Sequence, residues 1–221
     1  MVGGTRQKEF LSRFGLLDLT GIELPEASRA KPQSPKRWSQ LSTATVSYGH
    51  GISVSPLHIA VAYSSIVNGG KRVFPTLIKN SEKNQKSKQI ISNETSIKLQ
   101  NILRSVVKNG TAKNAELDDY SIGGKTGTAD KVNFKKPGYL EDKVITTFVA
   151  AFPMEQPRYV LVVTLDEPED WSIDKPMRTA GWTAVPVASE IIKRIAPVLG
   201  VRPNRIITKN IVHGASTKLA N

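Results

Sequence analysis

Two apolar runs joined by a short connection constrain this chain most. Residues 144–152 (VITTFVAAF) and 159–165 (YVLVVTL) are rich in β-branched and aromatic side chains, which suit a pleated, half-buried surface. Residues 153–158 between them are too few for a parallel crossover, so the pair predicts an antiparallel hairpin. A hairpin is only marginally stable by itself, so further strands or helices must cover it.

A third extended stretch precedes the pair. Residues 121–130 read Ser-Ile-Gly-Gly-Lys-Thr-Gly-Thr-Ala-Asp. Side chains alternate along a strand, which puts Lys125 and Gly127 on one face and Thr126 and Thr128 on the other. Gly127 leaves its backbone open to close approach, and a sheet edge offers unpaired N–H and C=O groups. An ammonium, two hydroxyls and a bare glycine in four residues suit the grip of an extended, anionic ligand. A glycine-rich turn leading into a surface strand accounts for the same four residues. The pair Gly123-Gly124 suits a strand that passes close to other backbone.

Helices surround these strands. Thr5 caps a short helix through Phe14, with Phe10, Leu11 and Phe14 on one side and Gly15 as the stop. Residues 16–25 read as a loop with brief extended pieces, 27–37 as an irregular connection around Pro32 and Pro35, and 38–45 as a short helix. Gly49 and Gly51 flank His50 in a tight turn. Ser55-Pro56 starts a core helix with Ile59, Tyr63, Ile66 and Val67 at helical spacing, ended by Gly69-Gly70. His58 on that helix reads as a packing or surface residue, since the sequence supplies no nucleophile for it. Residues 72–77 read as extended, and Ile90-Ile91 as a brief strand. A helix over 94–108 carries Leu99, Ile102, Leu103, Val106 and Val107, with Asn109-Gly110 as its stop. Residues 131–142 read as a polar loop turning at Pro137-Gly138. A closing helix over 186–199 shows Val187, Ile191, Ile195 and Val198 as its stripe.

Composition narrows the function classes. The net charge is +12, concentrated partly in 79–88 (KNSEKNQKSK). That run lacks aromatic interleaving, so it reads as a solvated loop and not as a nucleic-acid surface. There are no cysteines, and the three histidines are far apart, so neither a thiolate site nor a metal site is expected, and no cofactor is implied. No apolar run reaches the roughly 18 residues of a membrane span.

Lys-Thr-Gly is one of the motifs of penicillin-binding proteins and serine β-lactamases. Around it stand Tyr48-Gly49-His50-Gly51-Ile52-Ser53-Val54-Ser55-Pro56-Leu57, Lys108-Asn109-Gly110-Thr111-Ala112, and Thr179-Ala180-Gly181-Trp182-Thr183-Ala184-Val185-Pro186. In that order the chain resembles the C-terminal part of a class B penicillin-binding protein, the cell-division type of peptidoglycan D,D-transpeptidase, from Phe10 to Leu199. The resemblance implies an α+β fold, an antiparallel sheet flanked by helices, with the K-T-G strand at the edge of the active site. It implies Lys125 and Thr128 as catalytic, the Thr128 N–H as an oxyanion donor, and Thr126, Gly127 and Thr128 as substrate-binding. The partners it implies are a stem peptide ending in D-Ala-D-Ala, or a β-lactam that mimics it, and other division proteins. No nucleic acid is implied. The location it implies is the periplasmic face of the inner membrane, by way of an anchor that this sequence lacks.

The nucleophile is the exception. The spacing S-x-x-K occurs at Ser28/Lys31, Ser105/Lys108 and Ser172/Lys175, and S-x-N does not occur. The first and last pairs fall in segments read as irregular, and Ser105 lies toward a helix C-terminus, the wrong end to activate a serine. The expectation is that the S-x-x-K and S-x-N motifs precede Met1 and that this chain alone is inactive. Residues 1–200 then form the C-terminal part of the transpeptidase domain, and 201–221 a polar, basic tail. A D,D-carboxypeptidase or β-lactamase of the same superfamily, or a non-catalytic piece that binds peptide along the strand edge, is the alternative.

Overall fold

The computed structural model describes residues 2–79, 87–133, 135–171, 174 and 176–204. Its centre is an antiparallel sheet of β1 (Gly123–Val132), β2 (Tyr139–Phe152) and β3 (Tyr159–Asp166), in that spatial order. The expected hairpin is β2–β3, closed by the Phe152–Tyr159 pair. The stretch 131–142 is not simply a loop. β1 runs on to Val132, which pairs with Tyr139 after a register shift beyond Asp130. Charge explains what an apolar pattern could not show there. Lys131 Nζ donates to Asp166 and Glu167 at 2.8 Å each, and Lys143 lies 3.1 Å from Glu167. Cross-strand ion pairs thus accompany the ribbon where no core covers it.

Helices cover both faces of the sheet. Phe148, Ala150 and Phe152 pack with α5 (Ala184–Val198), while Ala151 packs with Val67 of α3 (Pro56–Val67) and Leu103 of α4 (Asn93–Asn109). The expected stripes needed correction. In α5 the fully buried side is Val185, Ala188, Ile192 and Ala196, whereas Val187 is 40% and Val198 86% exposed. The period was right and the phase was wrong by about one residue, or roughly 100°. Three of the core-facing residues, counting Ala184, are alanines, which let the helix approach the sheet closely but weigh little in a hydrophobic pattern. In α4, Leu103 and Val107 are buried, but Ile102 faces solvent.

The N-terminal part is looser. Helix α1 (Gly4–Arg13) starts from Gly3 at its N-cap with no side-chain cap bond, so Thr5 is inside the helix and does not cap it. Gly15 does end the turn, at φ +78°. A 3-10 turn at Pro25–Arg29 occupies part of the expected irregular connection, and α2 (Gln40–Val46) is capped by Ser39. Ile90-Ile91 is not a strand. Only the neighbouring Gln89 makes an isolated bridge, to Lys71, and Ile90 is buried instead against Phe14 and Ala62. The described part of 79–88 is its two ends; 80–86 lie outside the described residues.

Ser55 and His58 open α3 as a reciprocal capping box. His58 is buried, with Nδ1 3.3 Å from the Ser55 N–H and 2.7 Å from Ser55 Oγ. Its Nε2 lies 2.9 Å from the Asp18 carbonyl, which only an N–H can satisfy, so Nδ1 is the acceptor. Both ring nitrogens are therefore committed, and His58 ties the loop after α1 to α3.

A second staple closes the other end of the sheet. Glu155, in the β2–β3 turn, accepts from the Ser121 hydroxyl and, at 2.9 Å, from the Asn204 amide, while the Asn204 N–H donates to Asp119 O. Val201 is buried, so the chain after α5 is held as far as Asn204; 205–221 lie outside the described residues. Partial desolvation pushes the Glu155 carboxyl up, but the Ser121, backbone and Asn204 hydrogen bonds with the Arg104 charge outweigh it and leave it below its ordinary value of 4.5. A depressed folded value gives stability that is present above the ordinary value and is lost as pH falls through the folded one. Thermal melts from pH ~6 down to ~3 should therefore show a falling Tm, with a shallower slope in Glu155→Gln. An unchanged slope would mean that Glu155 is no part of the acid sensitivity. Among the described residues no helix is long and apolar enough to cross a membrane.

Candidate active site

The site is built on β1, which is an edge strand among the described residues. Residues directly opposite in an antiparallel pair share a face. Gly123, Lys125 and Gly127 sit opposite Ala151, Val149 and Thr147, on the side of α3 and α4. Thr126 and Thr128 sit opposite Phe148 and Thr146, on the side of α5.

The glycines of this strand have different reasons. A Cβ on Gly124 would stand 2.4 Å from the Val149 carbonyl and 2.6 Å from the Phe148 ring, and one on Gly123 would stand 2.7 Å from Met154 Sδ. Gly124 is required by packing against backbone, as the sequence led us to expect, whereas at Gly123 the closest neighbour is the flexible end of Met154, with the Arg104 backbone N next at 3.1 Å. A Cβ on Gly127 would meet nothing nearer than the Thr147 carbonyl at 3.9 Å. Nothing inside the described protein demands glycine there.

Lys125 is exposed and its Nζ donates to the Thr126 carbonyl at 2.6 Å. The Thr126 and Thr111 hydroxyls are 2.7 Å apart, and Thr128 Oγ1 accepts from the Ala180 N–H at 3.1 Å. Each hydroxyl has one donor and two acceptor sites, so both threonines keep capacity for a ligand. Arg104 of α4 anchors the start of β1, donating to the Ile122 carbonyl at 2.8 Å and pairing in bidentate fashion with Glu116.

Beside the threonine face lies a cleft of about 490 Å³. Thr111, Lys113 and Asn114 form one wall, Thr126 and Thr128 the floor, and the turn from Thr179 to Trp182 the other wall. The walls are bonded together. Asn114 Nδ2 donates to the Gly181 carbonyl at 2.9 Å, and a Cβ on Gly181 would stand 2.7 Å from the Thr111 carbonyl. Sequence reasoning placed Thr111 and Thr179–Trp182 in the resemblance but gave none of them a role. Their closeness to β1 is made by tertiary packing across 15 to 52 residues of chain. A larger cavity of about 1040 Å³ lies between α1 and α2, lined by residues such as Phe10, Leu11 and Val46. It shares no residue with β1 and no chemistry with the motif.

Of the candidate nucleophiles, the two within the described residues, Ser28 and Ser105, do not line this cleft. Ser28 Oγ donates to the Pro25 carbonyl at 2.8 Å within its own 3-10 turn. Ser105 and Lys108 are exposed on α4. Ser172 and Lys175 lie outside the described residues. The Gly49–Gly51 turn reaches the start of β2, where the Tyr139 hydroxyl lies 3.1 Å from His50 Nδ1.

Comparison with known proteins agrees with this architecture. The family model described as the penicillin binding protein transpeptidase domain matches residues 1–193. A probable peptidoglycan D,D-transpeptidase FtsI of Caulobacter vibrioides is 34% identical over 210 residues, covering 91% of this chain and 35% of that protein. The stage V sporulation protein D of Bacillus subtilis is 33% identical over 215 residues, covering 92% and 32%. The apo crystal structure of penicillin binding protein 3 from Mycobacterium tuberculosis superposes with a TM-score of 0.79 at 28% identity, over 92% of this chain and 48% of that one. The chain thus spans about a third of the length of these curated relatives. With its sheet, its edge strand and a match that runs through nearly all of its described residues, the chain belongs to the penicillin-binding protein transpeptidase family.

Proposed function

We propose that this chain is the K-T-G-T-bearing portion of a peptidoglycan D,D-transpeptidase of septal cell-wall synthesis. The observation that carries this is Gly127: an exposed edge strand holds a glycine that internal packing does not need, between two hydroxyl residues and two positions after an ammonium. An extended peptide laid along that edge gains main-chain hydrogen bonds. The similarity to peptidoglycan D,D-transpeptidases supports the enzyme class, and the complexes of the structurally similar penicillin binding protein 3 with aztreonam and ampicillin support β-lactam binding.

The chemistry is acyl transfer. A serine Oγ attacks the carbonyl between two D-alanines and gives up its proton to a base. The terminal D-alanine leaves with a proton, and an acceptor amine then takes the acyl group from the serine. Thr126 and Thr128 hydroxyls bind the substrate carboxylate, the Thr128 N–H steadies the developing oxyanion, and Lys125 supplies positive charge and tunes nearby proton transfers. The serine and its lysine come from an S-x-x-K segment outside this sequence, so the chain alone forms no acyl-enzyme. The parent protein acts at the periplasmic face of the inner membrane, with stem peptides as substrate and other division proteins as partners.

Fluorescent penicillin labelling tests this. The chain as given should take no label, and the chain joined to an upstream segment bearing S-x-x-K and S-x-N should take it. Lys125→Ala should lower that labelling at least ~10-fold, since one removed stabiliser of the reacting group costs roughly 10²–10³ in comparable sites. Label on the chain as given would mean that the nucleophile is within it. A folded, extended chain that stays unlabelled would leave a peptide-binding edge without catalysis.

A further inference from the structure

Among the described residues, the cleft on the threonine face is lined by one charged side chain. Lys113 sits on the short 3-10 turn Lys113–Ala115 after α4 and lines the cleft with Thr126 and Thr128. The acid three residues on, Glu116, is committed to Arg104. Lys125, by contrast, pairs with Val149 on the other face of the sheet and donates to the Thr126 carbonyl. Substituents of an extended ligand on the β1 edge alternate between the two faces, so a group held by the threonine hydroxyls faces Lys113.

The helix ends favour an anion there. The cleft wall from Thr179 to Trp182 leads straight into α5, a 15-residue helix whose N-terminus is the positive end of its dipole. The α4 C-terminus is on the opposite wall, but its Val106 carbonyl already accepts from the Gly110 and Ala112 N–H groups.

We propose that Lys113 is a second cation of this site, which holds the substrate's terminal carboxylate against Thr126 and Thr128. The inference rests on the transpeptidase reading for the identity of the ligand, though its binding step needs no nucleophile.

The test therefore uses the chain itself. Diacetyl-Lys-D-Ala-D-Ala and its C-terminal amide are titrated separately, following the Trp182 indole N–H by NMR, with Trp182→Phe to identify that signal. The acid should shift the signal and bind about tenfold tighter than the amide, a difference of ~1.4 kcal/mol. Lys113→Met should erase the preference, and Lys113→Arg should keep it. A merely structural lysine would not discriminate acid from amide. The proposal is overturned if Lys113→Met retains the preference, or if the unaltered chain shows none. Penicillin labelling of the extended chain reports separately. Label without a Lys113-dependent preference removes this inference alone. A Lys113-dependent preference without label removes the transpeptidase reading and leaves a carboxylate site.

Discussion

Gly124→Ala should cost about 3 kcal/mol or more, at or above the upper end of the usual range for overpacking. The new methyl would meet the Val149 carbonyl at 2.4 Å and the Phe148 ring at 2.6 Å. The carbonyl belongs to the strand opposite, so β1 and β2 would have to part for the methyl to fit. Phe148 is fully buried beneath α5 and cannot swing away. For a chain of this size the loss should appear as a fall of roughly 6–12 °C in Tm. Gly127→Ala is the control, because its methyl has open space, and stability should change by no more than about 0.5 kcal/mol. Its cost should fall on ligand binding, since that methyl would occupy the face where a peptide backbone approaches. A Gly124→Ala protein that melts with the wild type would show that the β1–β2 packing described above is wrong. If Gly127→Ala instead lost stability, the glycine would be structural, and the open-edge argument would fail.

Ile192→Ala should cost about 2–5 kcal/mol, whereas Val198→Ala should change stability by less than about 0.5 kcal/mol. Ile192 is fully buried where α5 meets Phe148, Ala150 and Phe152. The cavity left behind cannot collapse easily, because the sheet below is itself covered by α3 and α4. Val198 is 86% exposed and touches little. Denaturant melts of the two variants decide the phase of this helix directly. Equal losses would mean that α5 packs on the stripe Val187–Ile191–Ile195–Val198 and not on the one described.

The two predictions separate kinds of information in the chain. The apolar runs of β2 and β3 were legible because residues 148–152 are buried on both faces and most of β3 is at least half-buried, so nearly every residue there is apolar and the pattern has no phase to mistake. The start of α3 was legible because Ser55-Pro56 is local chemistry. The phase of α5 was not, because Ala184, Ala188 and Ala196 become core only through close approach to the sheet. The polar start of β2 was hidden because charges such as Lys143, paired with Glu167, and the neighbouring Lys131 resemble any surface loop.

The candidate site divides in the same way. Lys125, Thr126, Gly127 and Thr128 are contiguous, so the sequence alone determined the motif, its alternation and its place on a strand. Thr111, Lys113, Asn114 and the Ala180-Gly181-Trp182 turn come from the end of one helix and the approach to another. Only the tertiary structure decided that they wall a cleft against that strand. The reason is physical: a strand's side-chain alternation is local geometry, whereas a cleft is the gap left when distant elements pack, and no single segment encodes it.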